Sequence, residues 1–373
     1  MDSALILEDG SVFHGKSFGY PCEVSGEVVF NTGMVGYNEA LTDPSYYGQI
    51  LVQTYPLIGN YGIPSYDTKD DAGIPMHFES GNIQVKGYII SSLSRFPSHW
   101  SSIMSLEDWM VSQKIPGIII TDTRELTKKL RTKGTMLGVI KKIKKTDNEE
   151  LLSSVKNFED PNLRNLVSEV SIENAVEYKP IFEKCDTRVV VIDCGVKYGI
   201  LRNLSIRGAT IIQVPYNIST DEILSYDPSG ILISNGPGDP KKCTETIDAI
   251  EALMETDKPI FGICMGLLLL SLASEVNTYK LKFGHRGQNH PCLDLKSKRC
   301  FITSQNHGYA VEREGLKKSD FDCTMINAND KTVEGITHNK KKIFAVQFHP
   351  EGSPGPYETG FLFDRFFDYM KGG

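Results

Sequence analysis

The stretch Lys258-Pro259-Ile260-Phe261-Gly262-Ile263-Cys264-Met265-Gly266 constrains this chain more than any other. Residues 259–263 read as a short buried strand, and Met265 onward, with Leu267-Leu268-Leu269-Leu270-Ser271-Leu272-Ala273, reads as a helix packed in the core. Only a very sharp turn joins two such elements. Gly262 and Gly266 permit it, because a residue without Cβ lets strand and helix approach closely. Cys264 then stands at the apex, at the carboxyl edge of a sheet, as the thiol form of a nucleophile elbow. A buried structural cysteine between two glycines is the plainer alternative and the commoner fate of a free thiol. The elbow therefore needs support from the rest of the chain.

That support begins at residue 188, where the texture becomes alternating buried strands and helices, the mark of a doubly wound parallel sheet. Strands are expected at 189–193, 210–214 and 231–234, and helices at 198–207 and 243–256, before the elbow. A β-rich end follows, with strands at 300–304, 309–312, 333–338 and 343–348, the last two a hairpin over 339–342. The helix at 360–370 closes the unit. The opening region is β-rich instead: a hairpin at 4–7 and 12–14 turns on Asp9-Gly10, and strands are expected at 26–33, 49–56, 85–91, 117–120 and 135–143. Amphipathic helices belong at 105–113 and from Asp122 or Thr123 to near Gly134. Residues 147–156 and 162–168 are helical candidates, and the polar, aperiodic 177–186 reads as a linker.

With 373 residues the chain is long enough for two domains, and a net charge of -7 without a long Lys/Arg stripe argues against nucleic-acid or anionic-membrane partners. Eight cysteines without paired spacing suggest neither a disulfide framework nor a zinc site, so no metal ligand is assigned. No secretory start and no apolar run of membrane-spanning length is evident, so a cytosolic, cytoplasmic protein is expected.

A thiol nucleophile needs a base within hydrogen-bond reach and a third group to orient it. His349 and Glu351, separated by Pro350 at the end of a buried strand, emerge on the edge where the elbow sits. The imidazole would hold the proton of Cys264 and pass it to a leaving amine, with Glu351 fixing the tautomer. Asn235-Gly236-Pro237-Gly238-Asp239-Pro240, after the strand ending at Ser234, offers backbone N–H groups for an oxyanion. It could equally be only a tight strand-to-helix turn. Together the three features fit acyl transfer better than metal or phosphate chemistry.

The segments 259–266, 234–240 and Phe348-His349-Pro350-Glu351 resemble the class I (triad) glutamine amidotransferases. Gly26-Glu27-Val28-Val29-Phe30, Thr42-Asp43-Pro44-Ser45-Tyr46, Tyr55-Pro56-Leu57-Ile58-Gly59-Asn60 and Asp122-Thr123-Arg124 are similar to the small chain of glutamine-dependent carbamoyl phosphate synthetase. So are Ser304-Gln305-Asn306-His307-Gly308-Tyr309 and Ser353-Pro354-Gly355-Pro356. The likeness covers essentially the whole chain and extends to the amino-terminal part of the multifunctional pyrimidine-synthesis polypeptide of animals. It implies an α/β chain: a small-chain amino-terminal domain of β-rich α+β type at 1–150, a connecting segment at 151–187, and a doubly wound, mainly parallel class I amidotransferase domain at 188–373.

The implied activity is glutamine hydrolysis through a thioester on Cys264, with His349 and Glu351 completing the triad and ammonia passed to a synthetase large chain or fused synthetase region. Matching positions give oxyanion N–H groups at Gly236 and Met265, and glutamine contacts at Ser45, Gly238, Asn306, Gly308 and Tyr309. No cofactor is implied on this chain; ATP and magnesium belong to the synthetase partner. The family commonly carries His-Gln after Cys-x-Gly, its Gln contacting substrate, where this chain has Leu267-Leu268. Two functions are thus expected in order: an active glutaminase component serving pyrimidine or arginine synthesis, and, as the alternative, a non-catalytic subunit supporting an ammonia-dependent synthetase.

Overall fold

The computed structural model describes residues 2–143, 158–181 and 186–372. The helical candidate at 147–156 lies outside the described residues. Internal packing divides the chain into two compact units, Met1–Thr68 with Met76–Arg164, and Lys69–Pro75 with Asn165–Gly373.

The first unit is a closed barrel of β1 (Ser3–Leu7), β2 (Val12–Gly19), β3 (Val24–Asn31), β4 (Gln49–Gln53), β5 (Gly87–Ile90), β6 (Pro116–Ile119) and β7 (Met136–Lys142), ordered β1-β2-β6-β5-β4-β3-β7. Closure leaves no strand edge unpaired. Leu106, Trp109 and Met110 bury one face of the helix Leu106–Ser112, whose first turn is capped by Ser105 accepting from the Asp108 N–H. Asp122 caps the helix Thr123–Lys133 in the same way, and Gly134 ends it with a φ of 113°. Both helices stand where the hydrophobic spacing puts them.

The second unit holds a ten-stranded sheet of β8 (Val176–Tyr178), β9 (Arg188–Asp193), β10 (Thr210–Pro215), β11 (Gly230–Ile233), β12 (Ile260–Ile263), β13 (Thr278–Asp294), β14 (Cys300–Val311), β15 (Phe321–Asn327), β16 (Val333–His338) and β17 (Ile343–Val346). The run β10-β9-β11-β12-β17 is parallel throughout. Its odd and even residues feed different cores. Val190, Ile192, Ile231, Ile233 and Ile260 pack beneath the helices Thr244–Met254 and Met265–Ala273. Val189, Val191, Leu232, Phe261 and Phe344 pack with Phe363 and Phe366 of the helix Phe361–Met370 on the other face. A parallel sheet is stable only when covered on both faces, and each fully buried large side chain here contributes about 1.5–3 kcal/mol.

The strand order reverses beside β9, since the chain passes first to β10 on one side and then to β11 on the other. In sheets of this kind the crevice at such a reversal, at the carboxyl ends, is where ligands bind. Three sequence expectations change. The connecting segment holds β8, which overlaps the start of the linker expected at 177–186 and whose Val176, Glu177 and Tyr178 pair antiparallel with β10; a three-residue, largely exposed edge strand has too few apolar positions to show a period. The helical candidate at 162–168 is two short 3-10 turns, Pro161–Leu163 and Val167–Glu169. The strands expected at 300–304 and 309–312 are one strand, Cys300–Val311, and its partner Thr278–Asp294, where no element is expected, has register breaks at Lys280/His285 and Gly287/His290 that interrupt its alternation.

Candidate active site

Cys264 follows β12 with φ 54° and ψ -98°, a conformation that non-glycine residues rarely occupy and that persists only where the surroundings impose it. Here they do. A Cβ on Gly266 would lie 2.3 Å from the Ile233 carbonyl oxygen, and one on Gly262 would lie 2.8 Å from the backbone of Gly266. The two glycines thus let the helix sit directly on β11 and β12, and the Cys264 N–H donates to the Val346 carbonyl of β17 at 2.8 Å. The thiol is 2% exposed. It points at the Asn306 carbonyl, 3.8 Å away, and the Gln347 amide nitrogen lies 3.8 Å from Sγ.

His349 stands beyond β17, anchored by its N–H to the Ser304 carbonyl at 2.9 Å. Its Nδ1 lies 2.6 Å from Glu351 Oε1, so the carboxylate fixes the Nδ1–H tautomer. Among the described residues Nε2 has no hydrogen-bond partner of good geometry, and the Cys264 side chain acts on the ring. Burial works against charging His349, yet the Glu351 carboxylate outweighs it and, with Cys264 helping and Lys197 opposing, raises the imidazole's pKa. Burial likewise favours neutral Glu351, but Lys197 and then His349 hold its carboxyl well below the usual range. The structure brings together the three residues singled out as nucleophile, base and orienting acid.

Lys197 is a member of this cluster that the sequence did not disclose. Its Nζ lies 2.9 Å from Glu351 Oε1, and both side chains are almost fully buried. The loop after β9 places it: Asp193 accepts from the N–H groups of Gly195 and Val196, and Asn235 Oδ1 accepts the Lys197 N–H at 3.1 Å. The only trace in the sequence is a lysine at a strand-to-helix turn, a common place for a solvated charge.

Gly236 lies in the turn after β11, where a Cβ would come 2.1 Å from the Cys194 carbonyl oxygen. Only glycine fits. Met265 is the first residue of its helix, where an N–H has no intrahelical acceptor. Gly238 has a φ of 83°, and Asn306, Gly308 and Tyr309 follow one another on β14. Leu268 lies one turn after Cys264 and, like Leu267, packs in the apolar cluster under the sheet. Ser45 belongs to the first unit, buried in the 3-10 turn Pro44–Tyr46, with its N–H donating to Asp43 Oδ1 at 2.9 Å. Among the described residues no helix is long and apolar enough to cross a membrane.

Comparison with known proteins assigns both halves. Residues 190–369 match the family model for class-I glutamine amidotransferases, and residues 5–140 match the CPSase domain of the carbamoyl-phosphate synthase small chain. The chain is 46% identical over 369 residues to the carbamoyl phosphate synthase small chain of Pyrococcus furiosus, covering 99% of this chain and 97% of that one. Against the pyrimidine-specific small chain of Bacillus subtilis it is 46% identical over 372 residues, covering 100% and 96%. It is 48% identical over 371 residues to the multifunctional protein CAD of Squalus acanthias, of whose length it spans 16%.

Proposed function

Because the chain belongs to the family of carbamoyl phosphate synthase small chains, we infer that it is the glutaminase component of such a synthase and that Cys264, His349 and Glu351 carry the chemistry. The observation that carries this reading is the buried file Cys264, His349, Glu351, Lys197 at the carboxyl ends of β12, β17 and β9. Cys264 Sγ attacks the carboxamide carbon of glutamine while its proton passes to His349 Nε2. The carbonyl oxygen becomes an oxyanion, which the Gly236 and Met265 N–H groups, the donors the resemblance implies, would stabilise. Collapse breaks the C–N bond, and His349 returns the proton to the departing nitrogen, releasing ammonia. Water, deprotonated by His349, then cleaves the thioester to glutamate and regenerates the thiol.

A histidine whose charged form is favoured by Glu351 suits the proton-holding half of that cycle, and Lys197 keeps Glu351 ionised throughout. In this reading Asn306, Gly308, Tyr309 and Gly238 surround the glutamine, ammonia goes to a synthetase chain or fused synthetase region that holds ATP and magnesium, and the work is done in the cytoplasm. The test is carbamoyl phosphate synthesis by the complex with the synthetase. Cys264→Ser should abolish synthesis from glutamine and spare synthesis from added ammonia. Equal loss of both would make Cys264 a structural residue.

A further inference from the structure

We propose that His285, His307 and Glu334, with the Gln305 side-chain oxygen as fourth donor, form a buried structural site for one divalent transition-metal ion, zinc being the best match. His285 and His307 are directly opposed in the β13–β14 register. Glu334 comes from β16, where the register shift between Met325↔Gly335 and Ile326↔Val333 leaves it unpaired across the ladder, as in a bulge that re-aims a side chain. Three strands thus deliver their donors to one point. The ligating atoms of the two histidines and Glu334 lie within 4.8 Å of one another. Four ligands at zinc distances sit about 3.4 Å apart in a tetrahedron. His285 Nδ1 and Glu334 Oε1, at 3.5 Å, already match that.

The outer nitrogens are held as metal-bound histidines are. His285 Nε2 lies 2.7 Å from Asp330 Oδ2, and His307 Nδ1 lies 2.8 Å from the Tyr309 carbonyl. Carboxylate and carbonyl partners of this kind fix the tautomer and leave the inner nitrogen as the ligand. A backbone carbonyl can only accept, so His307 carries its hydrogen on Nδ1 and presents a lone pair at Nε2. That lone pair faces Gln305 Oε1 at 3.2 Å, acceptor against acceptor. Turning the Gln305 amide over only moves the conflict, since its nitrogen now donates to Glu334 Oε2 at 2.9 Å. Among the described residues His285 Nδ1 meanwhile has no hydrogen-bond partner, and Glu334 is fully buried. A cation among the four donors removes the conflict at His307 and gives a full counter-charge to Glu334, which otherwise, among the described residues, accepts only from the neutral side chains of Gln305, Asn327 and Thr332 and faces His285 at 3.5 Å. Nitrogen and oxygen donors in a closed, four-coordinate set favour zinc over magnesium or calcium.

Its place suggests what it would do. The Gln347 N–H donates to the Glu334 carbonyl at 2.9 Å, and Asn306, between Gln305 and His307, accepts from the Cys264 thiol. The ion would pin the strands behind the nucleophile without touching substrate.

The test is metal analysis of the purified full chain, followed by stripping with a chelator and titration with zinc and with cobalt. The expected result is one tightly held equivalent, a lower melting temperature on stripping that one equivalent of zinc restores, and a cobalt spectrum without thiolate charge-transfer bands. Glu334→Gln should weaken zinc binding severely. Asp330→Asn, which alters only an outer partner, should weaken it roughly 10- to 100-fold with the fold retained. Failure of the stripped chain to bind micromolar zinc would overturn the proposal and leave a proton on His285 to neutralise Glu334. So would thiolate bands that vanish in Cys264→Ser, which would put the ion at the nucleophile instead.

Discussion

Oxygen Oε1 of Glu351 lies 2.6 Å from His349 Nδ1 and 2.9 Å from Lys197 Nζ. One carboxylate oxygen therefore serves both the histidine that stands against the thiol and a buried lysine 154 residues earlier in the chain. The two cations influence each other through it: Glu351 raises the pKa of His349, and Lys197 lowers it.

Lys197→Met should show this in two readouts. Removing one partner of a buried ion pair costs about 3–5 kcal/mol, so the melting temperature should drop markedly. A structural role alone would stop there. With Lys197 gone, however, the His349 pKa rises, so the limb of the glutaminase pH profile that His349 controls should move to higher pH. An unmoved limb would reduce Lys197 to packing.

Glu351→Gln should move the same limb the other way, because the carboxylate that favours the imidazolium is lost. The amide also ceases to specify the tautomer, and kcat should fall by about 10²- to 10⁴-fold. KM should change little, since Glu351 has no part in holding glutamine. Steady-state kinetics across pH on both variants would check the pair of opposite shifts.

Stability should carry the same signature. His349 is pushed up to about 10 from 6.5, so its contribution is fully present below about pH 6.5 and is lost as pH rises toward 10. Glu351 is depressed below 4.5, so its contribution is present above that value and is lost as pH falls further. Urea unfolding should therefore show stability falling between pH 7 and 10, with a weaker fall in Glu351→Gln. Parallel curves for the two proteins would mean that the pair is not coupled in this way.

Leu268 is 3% exposed and sits one helical turn after Cys264, at a position the resemblance puts beside the substrate. Leucine can neither donate nor accept. Leu268→Gln should lower KM for glutamine by roughly one to two decades, the worth of a hydrogen bond to a polar group, with kcat little changed. Leu267 is fully buried in the same apolar cluster, so Leu267→His would bury an imidazole at a cost of about 1–3 kcal/mol. The single substitution is the cleaner test. An unchanged KM would show that the substrate does not approach Leu268.

What was legible in the sequence was what a local pattern carries. The elbow announces itself because two glycines and a cysteine lie within five residues, and Gly262 and Gly266 do meet closely. His349 and Glu351 were readable as a pair because both follow a single short strand, β17. Lys197 was not, since its ion pair joins the ends of two strands that only the sheet order makes close. The same holds for His285, His307 and Glu334, which three separate strands bring together and whose spacing matches no compact metal motif. Edge strand β8 leaves no strand signal in the sequence because edge residues need no apolar alternation.

The most direct test of the account is rapid quenching of the chain mixed with saturating glutamine, followed by mass spectrometry of the peptide that contains Cys264 and an assay of released ammonia. A glutamyl adduct on Cys264 should form and decay with ammonia release, and both should be lost in Cys264→Ser. Ammonia release that persists undiminished in Cys264→Ser, with no adduct on the parent chain, would contradict it.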